Sequence, residues 1–363
     1  MERSDKLLPK IMASPSDAPV TSTSPPNTRA GRIYFPHLDG LRFWAFFVVL
    51  LLHNTNTLPG KVSESPAFTT ISGVAEMGTL GVNFFFVLSG FLITFLLLVE
   101  REQTGRIDIV AFYLRRALRI WPLYFLCIAM ALALHFDIPR GAEPPLAPLL
   151  TFTSNFAAMH NLALTGPEQK AFGPVGVLWS VGIEEQFYLV WPVMMSLILA
   201  KVSKNRVAWC FAGVCALSLA SRILWRDNGL ALYYHTLCVI GDMALGGFAA
   251  WNCFSSPRWP AWFEGLSRSS IIGGYLLLAG AIAHQGLARD VPWVQVFIRP
   301  ILAALFAFVI LEQCYARNSF YKCGNSRWLS QLGTYTCGLY CLHLFAVVLV
   351  SRRLLKWGLD QNL

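Results

Sequence analysis

Runs of about twenty mostly apolar residues recur along the chain, separated by short polar stretches. Folded as a helix, twenty residues rise about 30 Å, the thickness of a bilayer's hydrocarbon core. The pattern predicts spans at 38–58, 79–99, 120–136, 178–200, 207–224, 231–251, 269–288, 295–315 and 332–350. The expected fold is all-α, a polytopic membrane bundle of about nine or ten transmembrane helices. Residues 1–32 depart from this rhythm. They are rich in Ser, Pro and Thr and lack the apolar core of a signal peptide, so a disordered cytoplasmic tail is expected there. The membrane domain is expected over 33–351, followed by a short C-terminal tail at 352–363.

Composition agrees with the pattern. Hydrophobic residues make up 55% of the chain, charged residues 13%, and the mean hydropathy is +0.51. A soluble domain averages about 25% charged residues, so an ordinary globular enzyme is excluded. The formal charge of +9 does not point to nucleic acid, because the basic residues lie in short clusters between apolar runs. With the N-terminus in the cytoplasm, eighteen Lys and Arg fall on that side. Six fall on the other: Lys61, Arg140, Lys170, Arg222, Arg226 and Arg289. That excess obeys the positive-inside rule. Arg352, Arg353 and Lys356 land on the disfavoured side of a nine-span count, which leaves open a miscounted span or an interfacial amphipathic piece. The long connection 137–177 is read equally as a lid or as a plain connector. Cysteines such as Cys127, Cys337 and Cys341 sit inside apolar segments without paired metal-ligand spacing, so no metal site is expected.

Ionisable residues inside spans are costly and mark function by default. Arg42 and His53 are eleven positions apart in the first span. That spacing puts them on one helix face about 16 Å apart, with His53 in the outer half and Arg42 in the inner part. Asp39 precedes Arg42 by three and can pair with it. In the fourth span Ser180, Glu184 and Tyr188 share a face, and Glu185 adds a second carboxylate. Glu184 is expected at the depth of His53, where it would orient the imidazole as a general base; the alternative is an ion pair with an Arg such as Arg299. Arg115, Arg116 and Arg119 stand before the third predicted span and suit phosphate binding or lipid headgroups equally. Ser89-Gly90 is a small-residue site in the second span, and His343 sets another imidazole near the bilayer centre. His235 and Asp242 share a face, and nothing else converges on them in the sequence.

Taken in order, these segments resemble the membrane acyltransferase 3 family: His37-Leu-Asp-Gly-Leu-Arg42 through His53, Gly81 to Thr94, Arg115-Arg116-x-x-Arg119, Trp179-Ser-x-x-x-Glu184-Glu-Gln-Phe-Tyr188, and Gly338-Leu-Tyr340-x-x-His343. The resemblance covers roughly residues 33–350, and five motifs in series are specific where any one is weak. It implies an integral membrane O-acyltransferase of the bacterial inner membrane. Such an enzyme would move an acyl group, usually acetyl from acetyl-CoA, to a hydroxyl of a cell-surface or lipid-linked carbohydrate. His53, Arg42 and Glu184 are then expected to be catalytic, and Arg115, Arg116 and Arg119 to bind the acyl-CoA donor. Whether the acyl group passes directly or by way of His53 or Ser89 stays open. Asn83 stands where the family usually has Asp. The family commonly has ten spans, and no fused esterase-like module is expected after residue 363. A transporter or flippase for a lipid-linked sugar is the competing reading, since buried Arg, His and Glu would also suit a proton relay.

Overall fold

The structure is a computed structural model that describes residues 27–29, 32–55, 77–133, 146–165, 173–287 and 290–357. Most of the expected tail at 1–32 lies outside the described residues, but its end is not shapeless: β1 (Asn27–Arg29) pairs antiparallel with β2 (Arg32–Tyr34). The remaining described elements are helical, and they form the predicted all-α bundle.

Every predicted span coincides with a helix. These are α1 (Pro36–Thr55), α2 (Gly78–Thr104), α3 (Ile109–Ala133), α6 (Leu178–Lys201), α7 (Lys204–Leu224), α9 (Thr236–Ser255), α11 (Arg268–Leu287), α12 (Pro292–Tyr315) and α14 (Thr336–Lys356). Shorter helices fill the connections: α4 (Leu146–Leu150), α5 (Ser154–Thr165), α8 (Gly229–Tyr234), α10 (Arg258–Glu264) and α13 (Arg327–Thr334). Among the described residues, 7 helices are long and apolar enough to cross a membrane, or up to 8 if α10 and α11, bent by 97°, form one span. The remaining expected span is α1, in which Asp39, Arg42 and His53 dilute an otherwise apolar helix.

Three boundaries differ from expectation. First, α3 starts at Ile109, so Arg115, Arg116 and Arg119 lie within the helix rather than before it. Hydropathy started the span late because guanidiniums lower it, while their apolar stems sit readily on a helix. Second, α14 continues to Lys356, so Arg352, Arg353 and Lys356 belong to a helix end rather than to a separate tail. Third, the connection 137–177 is no loose loop where it is described: α4 and α5 are docked on the bundle. Asn155 Nδ2 donates to the Tyr234 carbonyl at 2.9 Å, and Gln186 Nε2 donates to the Phe152 carbonyl at 2.7 Å.

The inner packing depends on small residues. Gly90 of α2 and Gly246 of α9 each lie where an added Cβ would fall 1.9 Å from a carbonyl of the other helix, so the two backbones touch. Such close approach is how membrane helices gain dispersion contact when lipid is as apolar as leucine. α2 ends at Gly105, whose φ of 77° permits the left-handed cap in which its N–H donates to the Arg101 carbonyl at 2.8 Å. Leu118, Trp209, Leu224 and Leu277 are exposed on the outer surface, as befits a lipid-facing belt.

A buried polar staple crosses the bundle. Arg299 of α12 reaches Asp242 of α9 at 2.8 Å, and Arg222 of α7 donates to the carbonyls of Val296, Leu232, Cys238 and Gln295. Arg222 therefore is not the loop charge expected from its place in the chain: it is 3% exposed. Arg299, considered as a partner for Glu184, is committed to Asp242 instead.

Candidate active site

α1 and α2 run antiparallel, and their levels can be matched residue by residue. Near the His53 end, Gly78 and Gly81 press on Leu52, Val49 and the Ala45 carbonyl. Near the other end, Phe35 packs edge-on against Phe91 and Phe95. Arg42 thus faces the middle of α2, about the level of Ser89, rather than an interface. Ser89 lies eleven residues beyond Gly78, about 16 Å along the axis at 1.5 Å per residue.

At that level a cavity of about 390 Å³ opens between α1, α2, α3, α6 and α14, within the range of small-molecule sites. Asp39, Arg42, Ser89, Arg116, Arg119, Ser180, Glu184, Tyr188 and Tyr340 all line it. Sequence motifs spread over some three hundred residues therefore share one chamber. Arg42 donates to Asp39, as the three-residue spacing predicts. Arg116 holds its guanidinium over the rings of Phe112 and Tyr188 at 5.6 and 5.7 Å, and its buried Nε has no hydrogen-bond partner among the described residues. Arg115 turns away: it is exposed and donates to Glu100 at 2.9 Å. The three arginines form a ladder, with Arg115 at the end of α2 and Arg116 and Arg119 leading into the cavity.

The centre of the site is a carboxylate with two hydroxyls. Ser89 Oγ donates to Glu184 Oε1 at 2.7 Å. The Tyr188 hydroxyl lies 3.3 Å from Ser89 Oγ and 3.4 Å from Glu184 Oε2. The shared face of Ser180, Glu184 and Tyr188 is present, and Ser180 is joined to the Tyr340 hydroxyl at 2.7 Å. Glu185 points elsewhere, accepting from Trp121 Nε1 at 2.8 Å.

The expected pairing of Glu184 with His53 is not formed. Glu184 sits at the level of Ser89, and His53 sits at the Gly78 end, about 16 Å away along the axis. The depth estimate failed because α6 enters the bundle lower than α2 does, a tertiary offset that helix spacing does not encode. His53 instead faces His343, with ring centroids 5.2 Å apart. The His343 Nδ1 lies 2.6 Å from the Tyr340 carbonyl, which makes Nδ1 the protonated nitrogen and Nε2 the acceptor. Tyr340 stands between this pair and the cavity, 5.7 Å from the His343 ring. Asn83 is buried at 4% exposure with its Oδ1 unpartnered among the described residues.

The family model described as an acyltransferase domain, acyltransferase 3, matches residues 35–363. The chain belongs to the acyltransferase 3 family. Curated relatives of this acyltransferase 3 member include the O-acetyltransferase OatA of Staphylococcus aureus strain NCTC 8325 / PS 47 and the protein of the same name from strain MRSA252. Each is 31% identical over 237 residues, covering 62% of this chain and 35% of the relative. The chain thus spans about a third of the length of the curated relatives it matches. No solved structure matches it.

Within this acyltransferase 3 chain, sequence reasoning named Tyr340 in the last motif but gave it no role; it both lines the cavity and carries the carbonyl that orients His343. Sequence reasoning missed Glu312, 1% exposed, whose carboxylate accepts from Tyr275, Gln313 and Ser319. The rule that an ionisable residue inside a span is rarely idle would have flagged Glu312. Beside it, outside the spans, Lys322 donates to the carbonyls of Glu312 and Gln313; burial lowers its pKa from the usual lysine value, and the Glu312 charge opposes that shift. No group of His, Cys, Asp and Glu among the described residues is arranged to hold a metal.

Proposed function

We propose that this multi-pass membrane protein is an O-acyltransferase of the bacterial inner membrane, with its N-terminus in the cytoplasm. It moves an acyl group, acetyl by analogy with its named relatives, from acyl-CoA to a hydroxyl of a cell-surface or lipid-linked carbohydrate. The observation that carries this reading is the cavity itself, in which three guanidiniums share walls with a carboxylate bonded to a serine hydroxyl.

The geometry supports the following roles. Acyl-CoA enters from the side where Arg115 meets Glu100. Its phosphates are held by Arg116 and Arg119 inside the cavity, while Arg115 stays paired with Glu100 at the entrance, since planar guanidiniums match phosphate bidentately. The thioester then reaches the level of Arg42 and Arg116, whose charges stabilise the oxyanion of a tetrahedral intermediate better in a dry cavity than in water. Glu184, the cavity carboxylate bonded to hydroxyls while Asp39 is paired with Arg42, takes the proton from an attacking hydroxyl. His53 and His343 stand at the opposite end, past Tyr340, where they receive the acceptor alcohol and fix its approach. Asp39 holds Arg42 in place, so a charge at mid-depth is not left unpaired.

Mass spectrometry of surface glycans and lipids from cells with and without the gene tests the reading. One acetyl increment is expected on a carbohydrate-bearing species only when the gene is present. His53→Ala should remove that increment at unchanged protein level, and a normal product from this variant would remove His53 from the site. The competing transporter reading predicts that purified protein neither hydrolyses nor exchanges acetyl-CoA in detergent; turnover there excludes it.

A further inference from the structure

We propose that Ser89 carries the acyl group between donor and acceptor as a serine ester, with Glu184 as its base. This deepens the acyltransferase reading and rests on it. An effective hydroxyl nucleophile needs a base within hydrogen-bond reach, and the Ser89–Glu184 contact of 2.7 Å meets that requirement directly. The Tyr188 hydroxyl, 3.3 Å from Ser89 Oγ, donates to the same oxygen, so the serine's own proton is left aimed at the carboxylate.

Position supports the assignment. Ser89 is half-buried and faces the cavity, while its neighbours Leu88 and Gly90 are buried against the bundle. Gly90 lies against the Met243 backbone, so this stretch of α2 cannot shift and the Ser89 hydroxyl is held in register with Glu184. The other cavity hydroxyls are placed differently among the described residues. Ser180 bonds Tyr340 and the Val177 carbonyl, and Thr336 Oγ1 is buried without a partner. Arg116 and Arg42, which line the same cavity, supply positive charge for the oxyanion.

The chemistry balances in two steps. As the Ser89 oxygen bonds to the thioester carbon, its proton passes to Glu184. The carbon–sulfur bond breaks, and the leaving thiolate takes that proton to depart as free CoA. The acceptor hydroxyl then attacks the ester carbon and gives its proton to Glu184. The bond from carbon to Ser89 Oγ breaks, and the serine oxygen recovers the proton from Glu184. Because CoA leaves before the sugar arrives, one cavity of about 390 Å³ serves both substrates in turn.

Purified full-length protein in detergent, given [14C]acetyl-CoA without acceptor and quenched in acid over a series of times, should retain base-labile label on the peptide that holds Ser89. Ser89→Ala should carry none, and Ser89→Cys should carry label that neutral hydroxylamine removes. Glu184→Gln should acquire label about a hundredfold more slowly, the usual loss when a general base is removed. Melting temperatures in detergent separate these losses from misfolding, and mapping the label on the wild type needs no variant at all. Transfer to acceptor by Ser89→Ala above a tenth of the wild-type rate overturns the acyl-enzyme. So does transfer by the wild type with no label on Ser89 at any quench time. Both results leave the acyltransferase reading standing. Failure of the wild type to release CoA even with acceptor membranes overturns both.

Discussion

Ser89, Glu184 and the arginines show how one residue's surroundings decide its part. Arg115, Arg116 and Arg119 read alike in the sequence, yet the helix turns Arg115 to the surface and the other two into the cavity. Arg119→Ala should raise the apparent KM for acyl-CoA about tenfold or more, equivalent to about 1.4 kcal/mol. Arg115→Ala, which removes an exposed ion pair worth about 0–1 kcal/mol, should change it by less than about threefold. Initial rates over a range of acetyl-CoA concentrations check both, and equal effects from the two variants would contradict the ladder. Cys337 offers a second probe at this scale. Its half-buried thiol lines the cavity beside Cys341. Maleimide labelling of Cys337 should slow when CoA is present, while labelling of Cys210, which does not line the cavity, should not. Peptide mass spectrometry reads the difference.

Helices were legible from hydrophobic runs because each span must bury its own backbone polar groups, and only a helix does so in lipid. Their ends were less so. The start of α3 was hidden by arginines that a helix tolerates, and α8 breaks from α9 at His235, whose side chain accepts from the Leu237 N–H and caps the new helix. Contacts between helices were the least legible. Periodicity placed Ser180, Glu184 and Tyr188 on one face, but it could not say that Ser89, ninety-five positions earlier, would meet Glu184. Nor could it pair Asp242 with Arg299, since such matches depend on how helices are offset along the membrane normal. The same staple sets a prediction for α7, α9 and α12. Asp242→Ala leaves two buried guanidiniums without a counter-charge and should cost about 3–5 kcal/mol. A lowered melting temperature in detergent checks this, and an unchanged one would mean that the staple contributes nothing.

For the whole molecule, the bundle sets a cationic ladder at one end and a histidine pair at the other, with Ser89 and Glu184 between them. Family membership agrees with the order of motifs first seen in the sequence, and the cavity gives that order a physical purpose: five distant segments are needed to wall one chamber. The donor side and the acceptor side are opposite faces of one membrane in this account, so sidedness is its most exposed claim. The direct test supplies [14C]acetyl-CoA to the cytoplasmic face of sealed inverted membrane vesicles and follows label into carbohydrate inside the lumen. Wild-type vesicles should accumulate lumenal acetylated carbohydrate, and Glu184→Gln vesicles holding the same amount of folded protein should not. Label that stays on acetyl-CoA in wild-type vesicles, or that reaches the lumen equally in the variant, would contradict the account.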